Sequence, residues 1–162
     1  MTGNIDIVPI RNEDSAELTR VMTRAFDDDA KRHLGEEKGG PDGYEDGSFI
    51  ARWAFHKDAR CYVARSGKSI AGAIIVFPGA VKSVLGCIFV DPALQRKGIG
   101  EALWRHASAL HPSRGWKLET PCWALSNHAF YEGRLGFHKA GETQPDDPRE
   151  NQYIFERSCR EP

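Results

Sequence analysis

The chain opens with alternation. In residues 4–10, NIDIVPI, apolar side chains fall near every second position, the period of a strand. The period then changes. Leu18, Val21, Met22 and Ala25 share one helical face, and Asn12 or Asp14 can cap it. Phe26 is expected to close this helix, just before Asp27, Asp28 and Asp29. Residues 35–47, GEEKGGPDGYEDG, hold five glycines and a proline and predict a loop. Its length in a compact chain suggests a binding loop. Ser48 then caps a short helix carrying Phe49, Ile50 and Trp53.

Two strands follow, CYVAR (61–65) and SIAGAIIVF (69–77), joined by the hairpin signal Ser66-Gly67-Lys68. SVLGCIFV (83–90) is nearly all apolar, which predicts a strand buried on both faces. A helix is expected from Ile99 to Leu110, with Ile99, Leu103, Ala107 and Leu110 facing inward. WKLETPCWAL (116–125) reads as a strand in which Pro121 marks a bulge or an edge. Asn127 starts a short helix through Arg134, and Gly136 ends it. Strands at 137–142 and 152–157 flank a polar turn. The order β-α-α-β-β-β-α-β-α-β-β predicts an α/β fold with a mixed sheet. The strands on either side of the 99–110 helix should be parallel, because parallel neighbours need a crossover.

Composition narrows the class. A chain of 162 residues is expected to form one domain, residues 1–162, and can bury a core without disulfides or metals. Lys and Arg total 22 against 23 for Asp and Glu, a balance that argues against nucleic acid as a partner. Cys61, Cys87, Cys122 and Cys159 form no C-x-x-C pair, and free thiols point to the reducing cytoplasm. The N-terminal residues show no signal-peptide pattern, and no apolar run is long enough to span a membrane. The six histidines show no metal-ligand spacing, so no metal is expected.

The segment FVDPALQRKGIGEALWRH (89–106) carries the chemistry. A helix start offers unpaired N–H groups and a partial positive charge, a ready anion site. Gly98 and Gly100 would clear side chains from that backbone, and Arg96 and Lys97 add charge. Neither the Walker A pattern nor the full dinucleotide fingerprint is present, since Leu103 stands where the third glycine belongs. The segment alone fits either a phosphate loop or a solvated strand-to-helix turn.

A second block decides between them. Val90-Asp91-Pro92 followed by Gln95-x-x-Gly98-x-Gly100 resembles motif A of the GNAT superfamily of acyl-CoA-dependent N-acyltransferases. Asn127-x-x-x-Tyr131-Glu132, followed by Leu135-Gly136-Phe137, resembles its motif B. The resemblance implies a mostly antiparallel mixed sheet with flanking helices and a splayed parallel strand pair. It implies acetyl-CoA as co-substrate. Gln95, Arg96, Lys97, Gly98, Ile99 and Gly100 would hold its pyrophosphate, and the strand edge of Ile88, Phe89 and Val90 its pantetheine arm. Asn127 would bond that arm or orient a water, and Tyr131 would point at the thioester sulfur. The resemblance also leaves a homodimer open.

The implied reaction is direct attack by a primary amine of a small molecule or peptide. Tyr131 is the candidate acid. A phenol titrates near 10 and a thiol near 8.5, so full proton transfer is uphill by roughly 2 kcal/mol, and help by hydrogen bonding is expected. Many family members carry a Glu on the strand before motif A, but SVLGCIFV has no carboxylate. Glu119, on the next strand, is the candidate base, with Asp27, Asp28, Asp29 or a water chain as alternatives. His128 is expected at the surface, and Trp123 either in the core or in the acceptor pocket. That pocket should form from residues 27–50 and the strand ends. Three function classes follow: an N-acetyltransferase, a non-catalytic acyl-CoA-binding or sensing domain on the same fold, and an enzyme directed at nucleic acid, which the charge balance disfavours.

Overall fold

The computed structural model describes residues 4–158, so Cys159 lies outside the described residues. Seven strands form one sheet in the order β1-β2-β3-β4-β5-β7-β6. They are β1 (Ile5–Pro9), β2 (Arg60–Ser66), β3 (Ser69–Phe77), β4 (Ser83–Val90), β5 (Gly115–Pro121), β6 (His138–Glu142) and β7 (Gln152–Ser158). Three helices flank it: α1 (Ser15–Leu34), α2 (Ile99–Leu110) and α3 (Leu125–Gly133). Every neighbouring pair is antiparallel except β4 and β5.

Each face of the sheet has its own core. On one side Leu18, Val21, Met22 and Ala25 of α1 pack with Val63, Ile75 and Phe89. On the other, Ile99, Leu103, Trp104 and Ala107 of α2 pack with Ile74, Trp116 and Phe155. Trp104 meets Trp116 edge to face at 4.9 Å, while Leu110 lies exposed in the last turn. Trp104, and not the expected Leu110, therefore completes the buried stripe of α2.

The expectation that β4 is buried on both faces is corrected. β3 is the strand covered on both sides, whereas β4 alternates and then becomes half-exposed. An apolar run does not say whether a helix or an opening lies beside it.

Helix α1 does not close at Phe26. It continues through the acidic run to Leu34 and ends on Gly35 in the left-handed conformation. Arg32 supports the extension. It pairs with Asp28 and Asp29 at i,i+4 and i,i+3, each at 2.9 Å, the spacings at which opposite charges support a helix. Asp27 turns to the glycine-rich loop instead, accepting from the Tyr44 hydroxyl at 2.5 Å and the Gly39 N–H at 3.2 Å. The predicted short helix exists as a π-helical turn, Ile50–Ala54.

At the end of the sheet, β5 stops at Pro121 and α3 begins at Leu125, two residues before Asn127. Among the described residues no side chain caps the start of α3, so the Asn127 amide is not used there.

Candidate active site

The sheet opens between its two parallel strands. Only Ser83↔Trp116 and Val84↔Lys117 are in register, and beyond them β4 and β5 diverge. Past Val84 the outer edge of β4, including Ile88, Phe89 and Val90, has no strand partner among the described residues, while its inner edge pairs with β3. Such an edge offers main-chain donors and acceptors to a peptide-like ligand. One acceptor is engaged already, since Gln95 Nε2 donates to the Val90 carbonyl at 3.2 Å.

A bulge sits at the mouth of this opening. Cys87 pairs with Ile75 and Leu85 with Val76, which leaves Gly86 as the extra residue. Bulges re-aim backbone groups next to functional sites. A methyl group at Gly86 would come within 2.8 Å of the Phe77 ring. That ring is held edge-on by Trp53 at 6.2 Å and His56 at 5.8 Å.

Beyond β4 the chain forms the expected turn. Asp91 builds its base, with Oδ1 accepting from Ala93 N–H at 3.0 Å and Oδ2 from Arg24 at 2.7 Å. Arg96 (φ 65°) and Gly98 (φ 81°) are both left-handed. For Arg96 this is an uncommon and costly conformation. Alternation of this kind turns successive N–H groups to one side, an anion-binding nest. No main-chain carbonyl among the described residues takes the N–H groups of Arg96, Lys97 or Gly98. Ile99 contributes backbone only, because its side chain is in the core. Gly100 has a different job from the one its sequence suggests. A methyl there would sit 3.0 Å from Cζ of Phe130, so its bareness serves the packing of α3 on α2. The donor set, a nest flanked by two cations and followed by an unpaired strand edge, fits a pyrophosphate with a peptide-like arm.

Tyr131, on α3, is buried. Its ring packs near Phe137 at 6.3 Å and Phe155 at 6.1 Å, on the α2 side of the sheet. Burial holds the phenol well above its ordinary range, and Cys87 and Asp29 push it further the same way. Cys87 is itself a protonated thiol, pushed up to about 12 by burial. It is therefore no thiolate nucleophile at neutral pH. Burial also raises Asp29, against the pull of Arg32.

His128 is not at the surface, as the sequence suggests. It is buried, its Nε2 lies 2.9 Å from the Pro121 carbonyl, and its ring stacks on Tyr153 at 5.0 Å. A carbonyl only accepts, so Nε2 carries the proton and the residue fixes the β5–α3 turn.

On the α1 side the opening widens into a groove of about 550 Å³. Phe49 and Trp53 wall it, Phe77 and Cys87 lie along β3 and β4, and Lys117 and Glu119 project from β5. Glu119 thus lies in the groove, whereas Trp123, Asp27, Asp28 and Asp29 do not line it. Counting on from Val84↔Lys117, Glu119 faces Gly86 across the opening.

Sequence reasoning missed Gly86, Phe77, Lys117 and Thr120. Thr120 has a buried hydroxyl with no hydrogen-bond partner among the described residues, just past the last β4–β5 pair. A glycine inside an apolar strand was the signal available for the bulge. Nothing local marks the other three. Among the described residues, no group of three or more His, Cys, Asp or Glu is placed to hold a metal ion, and no helix is long and apolar enough to cross a membrane.

Residues 57–139 match the family model described as an acetyltransferase (GNAT) domain. No curated protein matches the chain by sequence. Solved structures share its fold. An acetyltransferase from Thermus thermophilus is 19% identical, with TM-score 0.74 over 98% of this chain and 99% of the other. The ribosomal-protein-S18-alanine N-acetyltransferase from Escherichia coli is 21% identical, with TM-score 0.73 over 94% and 92%. The PaiA N-acetyltransferase from Thermoplasma acidophilum, in complex with coenzyme A, is 18% identical, with TM-score 0.75 over 96% and 99%.

Proposed function

The chain belongs to the GNAT acetyltransferase family, and from that premise we propose that it is an N-acetyltransferase, moving the acetyl group of acetyl-CoA to a primary amine by direct attack. One observation carries this: the sheet parts after Val84 and Lys117, and the nest of Arg96 and Gly98 follows the unpaired edge of β4. A similar fold that has been solved with coenzyme A and another that acetylates an alanine amine support the same assignment.

The N–H groups from Gln95 to Gly100 hold the pyrophosphate, with Arg96 and Lys97 adding charge. The edge of Ile88, Phe89 and Val90 bonds the pantetheine amides, and Asn127 bonds the arm from α3. Acetyl-CoA supplies an activated carbonyl and a fair leaving group. Glu119 takes a proton from the incoming ammonium and passes it to solvent. The amine then forms the C–N bond as the C–S bond breaks. A main-chain N–H at the Gly86 bulge stabilises the charge that develops on the carbonyl oxygen. Tyr131 holds a hydrogen bond to the leaving sulfur. The second proton lost by the amine ends on that sulfur, giving the amide and free CoA thiol. Because Tyr131 keeps its proton so firmly, hydrogen bonding and not full transfer is its part.

The whole chain, 1–162, acts as one such domain. The test is purified protein with acetyl-CoA and a panel of amines, read by thiol release. Turnover supports the proposal. Acetyl-CoA binding without turnover of any amine replaces it with an acyl-CoA sensor.

A further inference from the structure

The groove on the α1 side contains more information than a general amine acceptor requires. Its walls are aromatic and apolar, from Phe49, Trp53 and Phe77. Its charged lining consists of one cation and one anion, Lys117 and Glu119. These are two residues apart on β5, so their side chains leave the same face of the strand about 7 Å apart. Lys117 makes no ion pair among the described residues. The acid across the sheet from it, Glu156, is bound by Lys82 at 3.0 Å. An uncompensated ammonium beside the acceptor position is a poor neighbour for a simple cationic amine. It is a good one for a ligand that carries its own carboxylate.

We propose, resting on the acetyl-transfer function above, that the acceptor is a free α-amino acid with an apolar or aromatic side chain. Glu119 receives the α-ammonium and Lys117 the α-carboxylate. The two charges are close together in such a molecule, as the two side chains are on β5. The register then fits the chemistry. Glu119 stands opposite the Gly86 bulge, which puts the amine at the mouth of the gap. Lys117 lies at the apex, where β4 and β5 are still paired, and the carboxylate is kept from the reacting centre. Phe77, paired with Val84 at that level, and Trp53, edge-on to it, form the wall for the side chain. The volume of about 550 Å³ lies in the range of small-molecule sites and fits a compact ligand. A peptide N-terminus has the same ammonium but an uncharged carbonyl in place of the carboxylate, so Lys117 discriminates against it.

The product is the N-acetyl amino acid, and the balance is that of the parent reaction. The C–N bond forms, the C–S bond breaks, one ammonium proton goes to the CoA sulfur and one to solvent through Glu119.

The experiment compares L-phenylalanine, L-leucine, L-aspartate, phenethylamine, L-phenylalaninamide and a short peptide starting with Phe, each with acetyl-CoA. Expected is a kcat/KM for L-phenylalanine or L-leucine at least tenfold above phenethylamine, the amide, the peptide and L-aspartate. In Lys117→Gln the ratio of L-phenylalanine to phenethylamine should fall toward unity, through a raised KM for the amino acid. Phenethylamine, the amide or the peptide equalling or exceeding L-phenylalanine overturns the proposal and leaves acetyl transfer standing. So does an unchanged ratio in Lys117→Gln. If acetyl-CoA binds, by calorimetry, and no amine turns over, acetyl transfer fails and this proposal fails with it. Lys117 is not in the core, so the variant is expected to fold; its circular dichroism and acetyl-CoA affinity check that.

Discussion

His33 Nε2 lies 2.9 Å from the hydroxyl of Ser126. The contact joins the last turn of α1 to the first turn of α3. These helices sit on opposite sides of the opened sheet, one beside the acceptor groove and one carrying Tyr131. This hydrogen bond therefore ties the acceptor side of the cleft to the donor side. A second tie runs parallel to it, since Arg149 in the β6–β7 turn reaches Glu36 just beyond α1 at 3.0 Å.

Ser126→Ala should cost little stability, about 1 kcal/mol or less, as expected for one partly exposed hydrogen bond. Its effect should appear in catalysis instead. The acceptor KM should rise several-fold while acetyl-CoA affinity changes by less than about twofold, a factor worth under 1 kcal/mol. Steady-state kinetics with isothermal titration of acetyl-CoA separates the two. Loss of acetyl-CoA binding would show that the bond supports the donor site.

Tyr131→Phe keeps the ring between Phe137 and Phe155 and removes only the hydroxyl. Turnover should drop by about tenfold to a hundredfold, at or below the bottom of the ~10²–10⁴-fold range for full general acid catalysis because the phenol only hydrogen-bonds, with acetyl-CoA affinity nearly unchanged. The pH profile gives a second check. Burial raises this phenol, so its proton stays on well past pH ~10, its ordinary value. Activity should not decline on its account as pH rises from 8 to 10. A basic limb that disappears in Tyr131→Phe would contradict this.

The two glycines of the turn should separate. Gly98→Ala forces a Cβ into a left-handed conformation, at roughly 1–2 kcal/mol, and should weaken acetyl-CoA binding by up to about tenfold. Gly100→Ala pushes on Phe130 and should lower the melting temperature more than it lowers affinity. Adding Phe130→Leu to Gly100→Ala should recover part of that loss. Calorimetric melting of the three variants, with acetyl-CoA titrations, decides it.

Far from the site, Asp14 is buried against Arg65. Burial alone would raise its carboxyl, but the Arg65 guanidinium and the Arg11 N–H outweigh that and hold it below its ordinary value. Its folded value is thus lower than its unfolded one. Its stabilisation is complete above pH ~4 and is lost as pH falls through the folded value. Asp14→Asn should cost about 2–3 kcal/mol at pH 7, less than a fully buried pair because Arg65 keeps some exposure. The gap to wild type should shrink in urea melts at about pH 3, below the ordinary carboxylate value.

Much of this molecule is legible along the chain because local chemistry decides it. The hairpin at Ser66-Gly67-Lys68 and the α2 boundaries follow from residues within a few positions. The parallel pair follows from a crossover. What was not legible depends on partners distant in sequence. Asp27, Asp28 and Asp29 look like a helix end until Arg32 and Tyr44 are placed against them. Gly100 looks like a phosphate glycine until Phe130 lands on it. His128 looks exposed until the Pro121 carbonyl meets it. The donor side of the cleft is built from two short motifs and could be read. The acceptor side draws single residues from the loop before Trp53, from β3, from β4 and from β5, and no motif spans them.

The most direct test of the central claim is product analysis after incubating the protein with acetyl-CoA and primary amines. N-acetylated amine and free CoA thiol should form in equal amounts, and much more slowly with Tyr131→Phe. Tight binding of acetyl-CoA with no acetylated amine from any acceptor would contradict it.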